Sequence, residues 1–228
     1  MGYVFPPAPM PSLPILGTQD CFPVRRIWCV GRNYAAHARE MGTDPTREPP
    51  FFFAKPADAL VPLGGDMPYP PGTRDLHHEI ELVVALHRGG RDLDAAAARD
   101  AVFGCAVGLD MTRRDLQANA RKSGQPWEMA KAFDHSAPCS ALRRVADGGL
   151  ADDGELTLRV NGAVRQHGYI ADMIWNVSEI LQHLSGLIEL APGDLIFTGT
   201  PEGVGAVVPG DVLQADLSGV GELKVLIV

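Results

Sequence analysis

Short segments in which apolar and polar residues alternate dominate the chain, and most of them end at glycine, proline or a polar turn. The segment Leu156 to Gln166 alternates around Asn161-Gly162, a pair typical of a tight β-hairpin. Similar patterns predict further strands at residues 26–30, 51–53, 59–62, 79–87, 103–109, 195–198, 211–217 and 222–228. The pattern therefore predicts an α+β protein dominated by strands, with a few short helices.

Fewer segments have the spacing of an amphipathic helix. One predicted helix has Asn176 as its N-cap, Gly186 just beyond its end, and four apolar residues on one face: Val177, Ile180, Leu181 and Leu184. Other helices are predicted over residues 35–41 and from the cap Asp94 to about residue 102. A capping-box pattern at residues 112–115 predicts the start of another.

Proline is concentrated at the start of the chain. The residues Pro6, Pro7, Pro9, Pro11 and Pro14 lie in its first 14 positions, so residues 1–23 are predicted to form an extended arm across the surface or a partner subunit. The polar, proline-containing stretch 42–50 is predicted to be a mobile lid. No repeat or linker divides the rest, which predicts a single domain over residues 24–228.

Composition excludes several classes of function. With 46% hydrophobic residues the chain can form a core, and its net charge of −8 disfavours nucleic-acid binding. No apolar run has the length of a membrane helix, and the N-terminus lacks the basic region of a signal peptide. The four cysteines lack metal-type spacing, which indicates reduced thiols. We therefore expect a soluble cytoplasmic protein that binds neither nucleic acid nor membranes.

Two carboxylates lie on one face of the predicted strand 79–87. Glu79 and Glu81 are two residues apart, so they share a face, while Ile80 and Leu82 pack on the other. Two neighbouring carboxylates on such an apolar strand repel each other, and burying their charge is unfavourable. A bound divalent cation compensates both effects. A solvated edge strand explains the segment alone equally well.

A third carboxylate favours the metal site. Asp110 follows the apolar run 102–109, at a strand end. Three carboxylates without a cysteine form an oxygen-only site, which suits Mg²⁺ or Mn²⁺ better than Zn²⁺. An iron or zinc site that includes His77 is a less favoured alternative, and His78, on the opposite face, is predicted to be structural.

Other candidate groups give weaker signals. Lys131 is flanked by Ala, Met and Phe, which predicts a partly desolvated ammonium beside an anion, although a lysine reaching solvent is the simpler reading. His37 and Glu40 are three apart on a predicted helix, where Glu40 can orient the imidazole as a base for water. An ordinary surface pair is the alternative. Thr200 lies in a Gly/Thr turn that could hold a carboxylate.

Together these stretches resemble the fumarylacetoacetate hydrolase family, in particular its short, single-domain acylpyruvase branch and the bacterial fumarylpyruvate hydrolases. The resemblance covers nearly all of the chain after residue 24, and the motifs occur in the family's order. They are GRNY at 31–34 with His37 and Glu40, FFFAKP at 51–56, HHEIEL at 77–82, GLDMTRRDLQ at 108–117, PWEMAKAFD at 126–134 and LIFTGTPEGVG at 195–205.

The resemblance implies a mixed β-sandwich roll, usually dimeric. It implies Mg²⁺ or Mn²⁺ bound by Glu79, Glu81 and Asp110. It also implies roles for six further residues: Lys131 as the active-site lysine, Arg114, Gln117 and Thr200 as substrate contacts, and His37 and Glu40 as a dyad on a segment that orders when ligand binds.

The resulting hypothesis is a metal-dependent hydrolase that cleaves an acylpyruvate through a metal-stabilised pyruvate enolate. Fumarylpyruvate of the gentisate pathway, in aromatic catabolism, is the expected substrate. Arginines such as Arg47 are candidates to bind its second carboxylate, although a solvated surface arginine is the simpler interpretation of any one of them. Oxaloacetate decarboxylation is the next alternative, followed by isomerisation or decarboxylation of a dienoate. A non-catalytic 2-oxoacid-binding module would have no use for the pair His37 and Glu40 or for Lys131.

Overall fold

Strands supply most of the regular structure in the computed structural model, which describes residues 2–40 and 48–228. The strands are β1 (Ser12–Pro14), β2 (Cys21–Pro23), β3 (Arg26–Gly31), β4 (Phe51–Lys55), β5 (Leu60–Pro62), β6 (Gly64–Met67), β7 (Leu76–His78), β8 (Ile80–Leu86), β9 (Val102–Leu109), β10 (Thr112–Arg113), β11 (Ala137–Cys139), β12 (Arg143–Arg144), β13 (Glu155–Val160), β14 (Ala163–Tyr169), β15 (Asp194–Phe197), β16 (Gly205–Val207), β17 (Val212–Leu217) and β18 (Gly221–Ile227).

The helices are short. They are α1 (Ala35–Glu40), α2 (Ala95–Asp100), α3 (Arg114–Ser123), α4 (Glu128–Lys131), α5 (Val145–Gly148) and α6 (Val177–Leu187), with 3₁₀ turns at Ala57–Ala59 and Ile170–Asp172. The predicted strand-dominated α+β class is therefore confirmed. None of the described helices is both long enough and apolar enough to cross a lipid bilayer.

A mixed sheet of eight strands forms the centre. Seven follow the order β4-β3-β15-β8-β9-β11-β5, and β12 also pairs with β9. The pairs β3–β15 and β5–β11 are parallel and the others are antiparallel. A second sheet of order β14-β13-β17-β18-β6 packs against it, and the small sheets β10-β7-β16 and β1-β2 complete the fold.

The middle strands β8 and β9 of the central sheet are covered on both faces, so nearly all of their residues are apolar. Leu82 and Val84 of β8 face the larger core, which also contains Leu156 of β13 and the apolar face of α6. Val83 and Ala85 face a smaller core on the other side. Glu81 precedes Val83 on that second face, so the site described below lies at the end of the smaller core.

The second half of the predicted N-terminal arm is part of this smaller core. Residues 12–23 include the paired strands β1 and β2, which bury Leu13 and Phe22 against the sheet. Phe22 stacks on Phe103 at 5.3 Å between ring centroids. Residues 2–10 are exposed. The division into an arm and a domain at residue 24 stays a prediction.

Two local predictions were wrong. Helix α3 begins at Arg114, where a helix start was predicted, but the capping box at residues 112–115 does not form. Thr112 is paired with His77 in the sheet, and its hydroxyl donates to the carbonyl of Asp110. Asp115 instead accepts a hydrogen bond from Thr73 at 2.6 Å. Helix α6 has its predicted cap at Asn176, but it continues through Gly186, which has no positive φ.

Candidate active site

Three buried carboxylates meet where two central strands lie side by side. Glu79 connects β7 to β8, Glu81 is the second residue of β8, and Asp110 follows β9. The antiparallel pairing of Ile80 with Leu109 brings the start of β8 beside the end of β9, and the amide of Asp110 donates to the carbonyl of Glu79 at 2.8 Å. One oxygen from each carboxylate lies within 4.8 Å of the others.

Lys131 bridges two of these carboxylates. Helix α4 places its Nζ 2.6 Å from Oε2 of Glu79 and 2.6 Å from Oδ2 of Asp110. Burial disfavours the ammonium, but the attraction of Asp110 and Glu79 outweighs it and raises the pKa of Lys131 above its ordinary value. The desolvated lysine beside an anion that the sequence predicts is therefore present, as a charged group.

A second buried lysine, Lys55, was not predicted. Its Nζ lies 2.9 Å from Oδ1 of Asp110 and donates to the backbone carbonyls of Met111 and Lys131. It ends β4, directly after three phenylalanines and an alanine. The same apolar context is what made Lys131 a candidate in the sequence. The criterion also applies to Lys55 in the motif at 51–56 and would have identified it.

Glu79 and Asp110 have cationic partners in Lys131, Arg114 and Lys55, whereas Glu81 makes no ion pair within the described residues. Burial together with the charges of Asp110 and Glu79 raises the pKa of Glu81 well above its ordinary value. Burial also opposes ionisation of Glu79, but Lys131 and Arg114 outweigh it and hold its pKa well below its ordinary value. A buried, oxygen-only group in which the charge of one carboxylate is left without a cationic partner fits a hard divalent cation such as Mg²⁺ or Mn²⁺.

The turn after β15 closes one side of the cluster. The amide of Gly199 donates to Oε2 of Glu81 at 2.7 Å. Gly199 has a φ of 101°, and a Cβ at this position would lie 2.7 Å from Cβ of Asn33, so the turn requires glycine for both reasons. The same turn brings Thr200 to the cavity beside the carboxylates.

The first turn of α3 adds two more predicted residues. Arg114 donates to Oε1 of Glu79 through Nη2 and to Oε1 of Gln117 through Nη1. These contacts hold the guanidinium at the edge of the carboxylate cluster. Arg114 and Gln117 both line the same cavity as Thr200.

The predicted pair on α1 is formed. Nδ1 of His37 lies 3.1 Å from Oε2 of Glu40, and the amide of Gly203 donates to the two carboxylate oxygens of Glu40 at 3.2 and 3.3 Å. His37 is buried and lines the cavity, whereas Glu40 lies behind it and is exposed. With Nδ1 facing Glu40, Nε2 is the ring nitrogen left to take a proton.

These groups surround one cavity of about 430 Å³. Seven of the nine predicted site residues line it: His37, Glu79, Glu81, Arg114, Gln117, Lys131 and Thr200. Asp110 is held beside it by Lys131, and Glu40 is held by His37. Most of the other lining residues are aromatic (Phe51, Phe53 and Trp127) or basic (Arg32, Arg121 and Lys122). The volume suits a small organic acid.

Two other sequence predictions have a different outcome. His77 is not part of the carboxylate group, because its Nε2 lies 2.9 Å from Asp75, whereas the buried His78 makes the structural contact expected of it. Most of the predicted lid, including Arg47, lies outside the described residues.

We expect Lys55→Met to destabilise the protein strongly. The substitution removes a buried charge that compensates Asp110, and breaking a buried ion pair by removing one partner costs about 3–5 kcal/mol. Urea denaturation in the presence of a chelator measures the free energy of unfolding. Lys224→Met, at an exposed position of β18, is the matched control and should change it by less than about 0.5 kcal/mol. A loss below about 1 kcal/mol at Lys55 would contradict its assigned role.

Comparison with known proteins agrees with this geometry. Residues 26–228 match the model of the fumarylacetoacetate (FAA) hydrolase C-terminal family. The structure resembles the crystal structure of fumarylpyruvate hydrolase from Pseudomonas aeruginosa in complex with Mn²⁺ and pyruvate. The TM-score is 0.97 at 51% sequence identity, and the match covers 100% of this chain and 99% of that one.

Two curated relatives have different names. A fumarylpyruvate hydrolase from Ralstonia sp. is 41% identical over 184 residues, covering 81% of this chain and 95% of the relative. A mitochondrial oxaloacetate tautomerase from Arabidopsis thaliana is 42% identical over 199 residues, covering 87% and 89%. The chain therefore belongs to the fumarylacetoacetate hydrolase family and is an enzyme of the carbon–carbon bond hydrolase class that its motifs predict.

Proposed function

We propose that this protein hydrolyses fumarylpyruvate to fumarate and pyruvate. The observation that carries the proposal is that a buried carboxylate triad and a His–Glu pair adjoin one cavity of about 430 Å³. In this proposal the triad holds the cation at the pyruvyl end of the substrate. His37 takes a proton from the water that attacks the acyl end. The names of the Pseudomonas and Ralstonia relatives support this choice of substrate.

In this proposal Glu79, Glu81 and Asp110 hold Mg²⁺ or Mn²⁺. When bound, the cation would polarise the oxygens of the substrate and compensate the negative charge that develops on them. The two buried lysines have a complementary task, because they neutralise part of the carboxylate charge and leave the site able to accept an anionic substrate.

The side chains around the cavity account for the reaction. Arg114, Gln117 and Thr200 bind the pyruvyl end. His37 takes a proton from water through Nε2, and the resulting hydroxide attacks the distal carbonyl carbon. The carbon–carbon bond then breaks, and its electron pair leaves with the pyruvyl fragment as an enolate beside the ammonium of Lys131. Proton return from the imidazolium gives pyruvate and the free acid.

The charge on the cavity wall supports a substrate with a second carboxylate. Arg32, Arg121 and Lys122 line the cavity in a chain whose net charge is −8. Arg32 lies over the ring of Phe51 at 5.2 Å, and Phe51 contacts Trp127 edge to face, so the basic groups adjoin an aromatic wall. Such a wall suits a planar, unsaturated acid with a terminal carboxylate.

A comparison of three substrates tests the proposal. We expect kcat/KM with Mg²⁺ for fumarylpyruvate to exceed the values for acetylpyruvate and oxaloacetate by about a hundredfold, which corresponds to about 2.7 kcal/mol of transition-state discrimination. The loss of near-ultraviolet enol absorbance follows acylpyruvate cleavage. Equal values on all three would indicate a general acylpyruvase and decarboxylase instead.

Replacement of one basic residue tests the acyl end separately. We expect Lys122→Gln to lower kcat/KM for fumarylpyruvate about tenfold, because it removes a charge from the wall that faces the distal carboxylate. Acetylpyruvate has no distal carboxylate, so its kcat/KM in the same variant is the internal control and should change less than about twofold. Equal losses of kcat/KM on both substrates would show that Lys122 does not recognise the distal carboxylate of fumarylpyruvate.

Oxaloacetate chemistry is the second candidate. The triad with Lys131 can stabilise the pyruvate enolate that forms when oxaloacetate loses CO₂, a step without an attacking water, and a relative is named oxaloacetate tautomerase. Decarboxylation of oxaloacetate would need the triad but not the pair of His37 and Glu40. The homodimer, the cytoplasmic location and the pathway expected from the sequence stay predictions.

A further inference from the structure

A buried glutamine joins the carboxylate strand to the turn that holds Thr200. The Oε1 atom of Gln166 accepts from Nδ1 of His78 at 2.9 Å and from the amide of Ile80 at 3.0 Å. Its Nε2 donates to Oγ1 of Thr200 at 2.8 Å and to the carbonyl of Pro201 at 2.9 Å. The side-chain amide of Gln166 therefore has all four of its hydrogen bonds.

Backbone groups fix the orientation of this amide. A backbone amide such as that of Ile80 can only donate, and a backbone carbonyl such as that of Pro201 can only accept, so the oxygen and nitrogen of Gln166 cannot be exchanged. It follows that Nε2 donates to Thr200, and that Oγ1 of Thr200 is the acceptor. The hydroxyl proton of Thr200 therefore cannot point toward Gln166.

The cavity is the remaining place for that proton. Thr200 is only 3% exposed and lines the cavity. In residues 2–40 and 48–228, no acceptor for its hydroxyl is seen. A threonine whose oxygen is occupied from behind by an N–H donor presents its O–H to a ligand oxygen in front.

We propose that Gln166 is a positioning residue that fixes Thr200 as a hydrogen-bond donor to the carboxylate or 2-oxo group of the substrate. This inference rests on the proposed function, because it requires a 2-oxoacid in the cavity. Gln166 does not line the cavity, and it acts through the hydroxyl of Thr200.

A double-mutant cycle on pyruvate binding tests the proposal. Calorimetric titration of the Mn²⁺-loaded protein with pyruvate gives Kd for the wild type, Gln166→Met, Thr200→Val and the double variant. Each single substitution should raise Kd about tenfold, and the double variant also about tenfold instead of a hundredfold. Thr200→Ser retains the hydroxyl and should recover most of the affinity that Thr200→Val loses.

Two further variants separate positioning from a general effect on the fold. Gln182→Met removes a glutamine that donates to the carbonyl of Ser178 on α6, away from the cavity, and should leave Kd unchanged. Gln166→Glu keeps the acceptor for Ile80 and His78 but offers Thr200 an acceptor, which turns the hydroxyl away from the cavity. It should raise Kd about tenfold even if Gln166→Met does not fold.

The steady-state constants provide a second readout. Because the contact to the pyruvyl end persists through the reaction, the Gln166 variants should raise KM for fumarylpyruvate and change kcat less than about twofold. Independent, multiplicative effects of Gln166→Met and Thr200→Val on Kd would overturn the proposal, as would unchanged pyruvate binding in both Gln166 variants or no pyruvate binding by the wild type. A coupled cycle without fumarylpyruvate hydrolysis would contradict the proposed function alone.

Discussion

Replacement of His37 by alanine is expected to lower kcat for fumarylpyruvate hydrolysis by about a thousandfold, within the range that a general base contributes. His37 lines the cavity, and its Nδ1 faces Glu40 at 3.1 Å. In this geometry Nε2 is the base for water, and alanine leaves the hydrolytic water without one. His37 does not contact the carboxylate triad through a hydrogen bond, so the affinity for Mn²⁺ should stay within about twofold of the wild type.

The matched control for this variant is Glu40→Gln. The amide can still accept from Gly203 and can hold the ring in place, but it no longer stabilises the imidazolium. We therefore expect a smaller loss of kcat, about tenfold to a hundredfold. Retained oxaloacetate decarboxylation in both variants would show that enolate formation does not need the pair of His37 and Glu40, whereas hydrolysis does.

Three measurements check this expectation: kcat for fumarylpyruvate, the rate of oxaloacetate decarboxylation, and Mn²⁺ affinity by calorimetry. The assignment fails if His37→Ala hydrolyses fumarylpyruvate at a rate near that of the wild type. It also fails if the variant loses Mn²⁺ binding, because the histidine would then support the carboxylates and not the water.

The carboxylate site could be predicted because strand geometry makes it local. The two-residue spacing of Glu79 and Glu81 fixes their common face in any strand, and Asp110 ends an apolar run with the length of a buried strand, which is typical of the centre of a sheet. In the structure the predicted strand is interrupted at Glu79, which the pattern did not predict. Glu79 connects two strands that belong to different sheets, and its carbonyl accepts from Asp110.

The buried position of the Gln166 side chain could not be predicted, because the face on which it lies depends on an irregularity in the strand pairing. A regular hairpin around Asn161-Gly162 would place Arg165 opposite Leu158 and turn Gln166 to the exposed face. The pairing instead shifts by one residue between Leu158 and Arg159, and Gln166 lies opposite Leu158 on the buried face. Nothing in the hairpin's alternation signals that shift.

The contacts of Lys55 were unpredictable for a different reason. Its apolar neighbours indicate burial, but its partner Asp110 lies 55 residues further along the chain. The two meet because the central sheet curls and brings β4 to the end of β9 across the three strands between them. The N-terminal hairpin is similar, since proline content predicts an extended chain but not the packing of Leu13 and Phe22 against the central sheet. Both depend on strand order, which local pattern does not fix.

Glu81→Gln should separate metal binding from stability. Glu81 is 1% exposed, and the pKa of its carboxyl is raised well above its ordinary value by burial and by the neighbouring carboxylates. The isosteric amide can still accept from Gly199, while its nitrogen can donate to Asp110, so a repulsive contact becomes a hydrogen bond. The metal-free variant should therefore be as stable as the wild type, or more stable by about 1 kcal/mol.

The same substitution removes one of three anionic ligands from an oxygen-only site. We expect the affinity for Mn²⁺ to fall by more than about a hundredfold and fumarylpyruvate hydrolysis to become undetectable. The groups that hydrogen-bond to the ligands of a hard cation cannot replace a carboxylate ligand. Calorimetric Mn²⁺ titration and urea denaturation in a chelator measure the two effects on one preparation. Glu222→Gln, at an exposed position of β18, should change neither. Wild-type Mn²⁺ affinity in Glu81→Gln would remove Glu81 from the metal site, whereas a metal-free protein destabilised by more than about 2 kcal/mol would show that its carboxylate supports the fold instead of straining it.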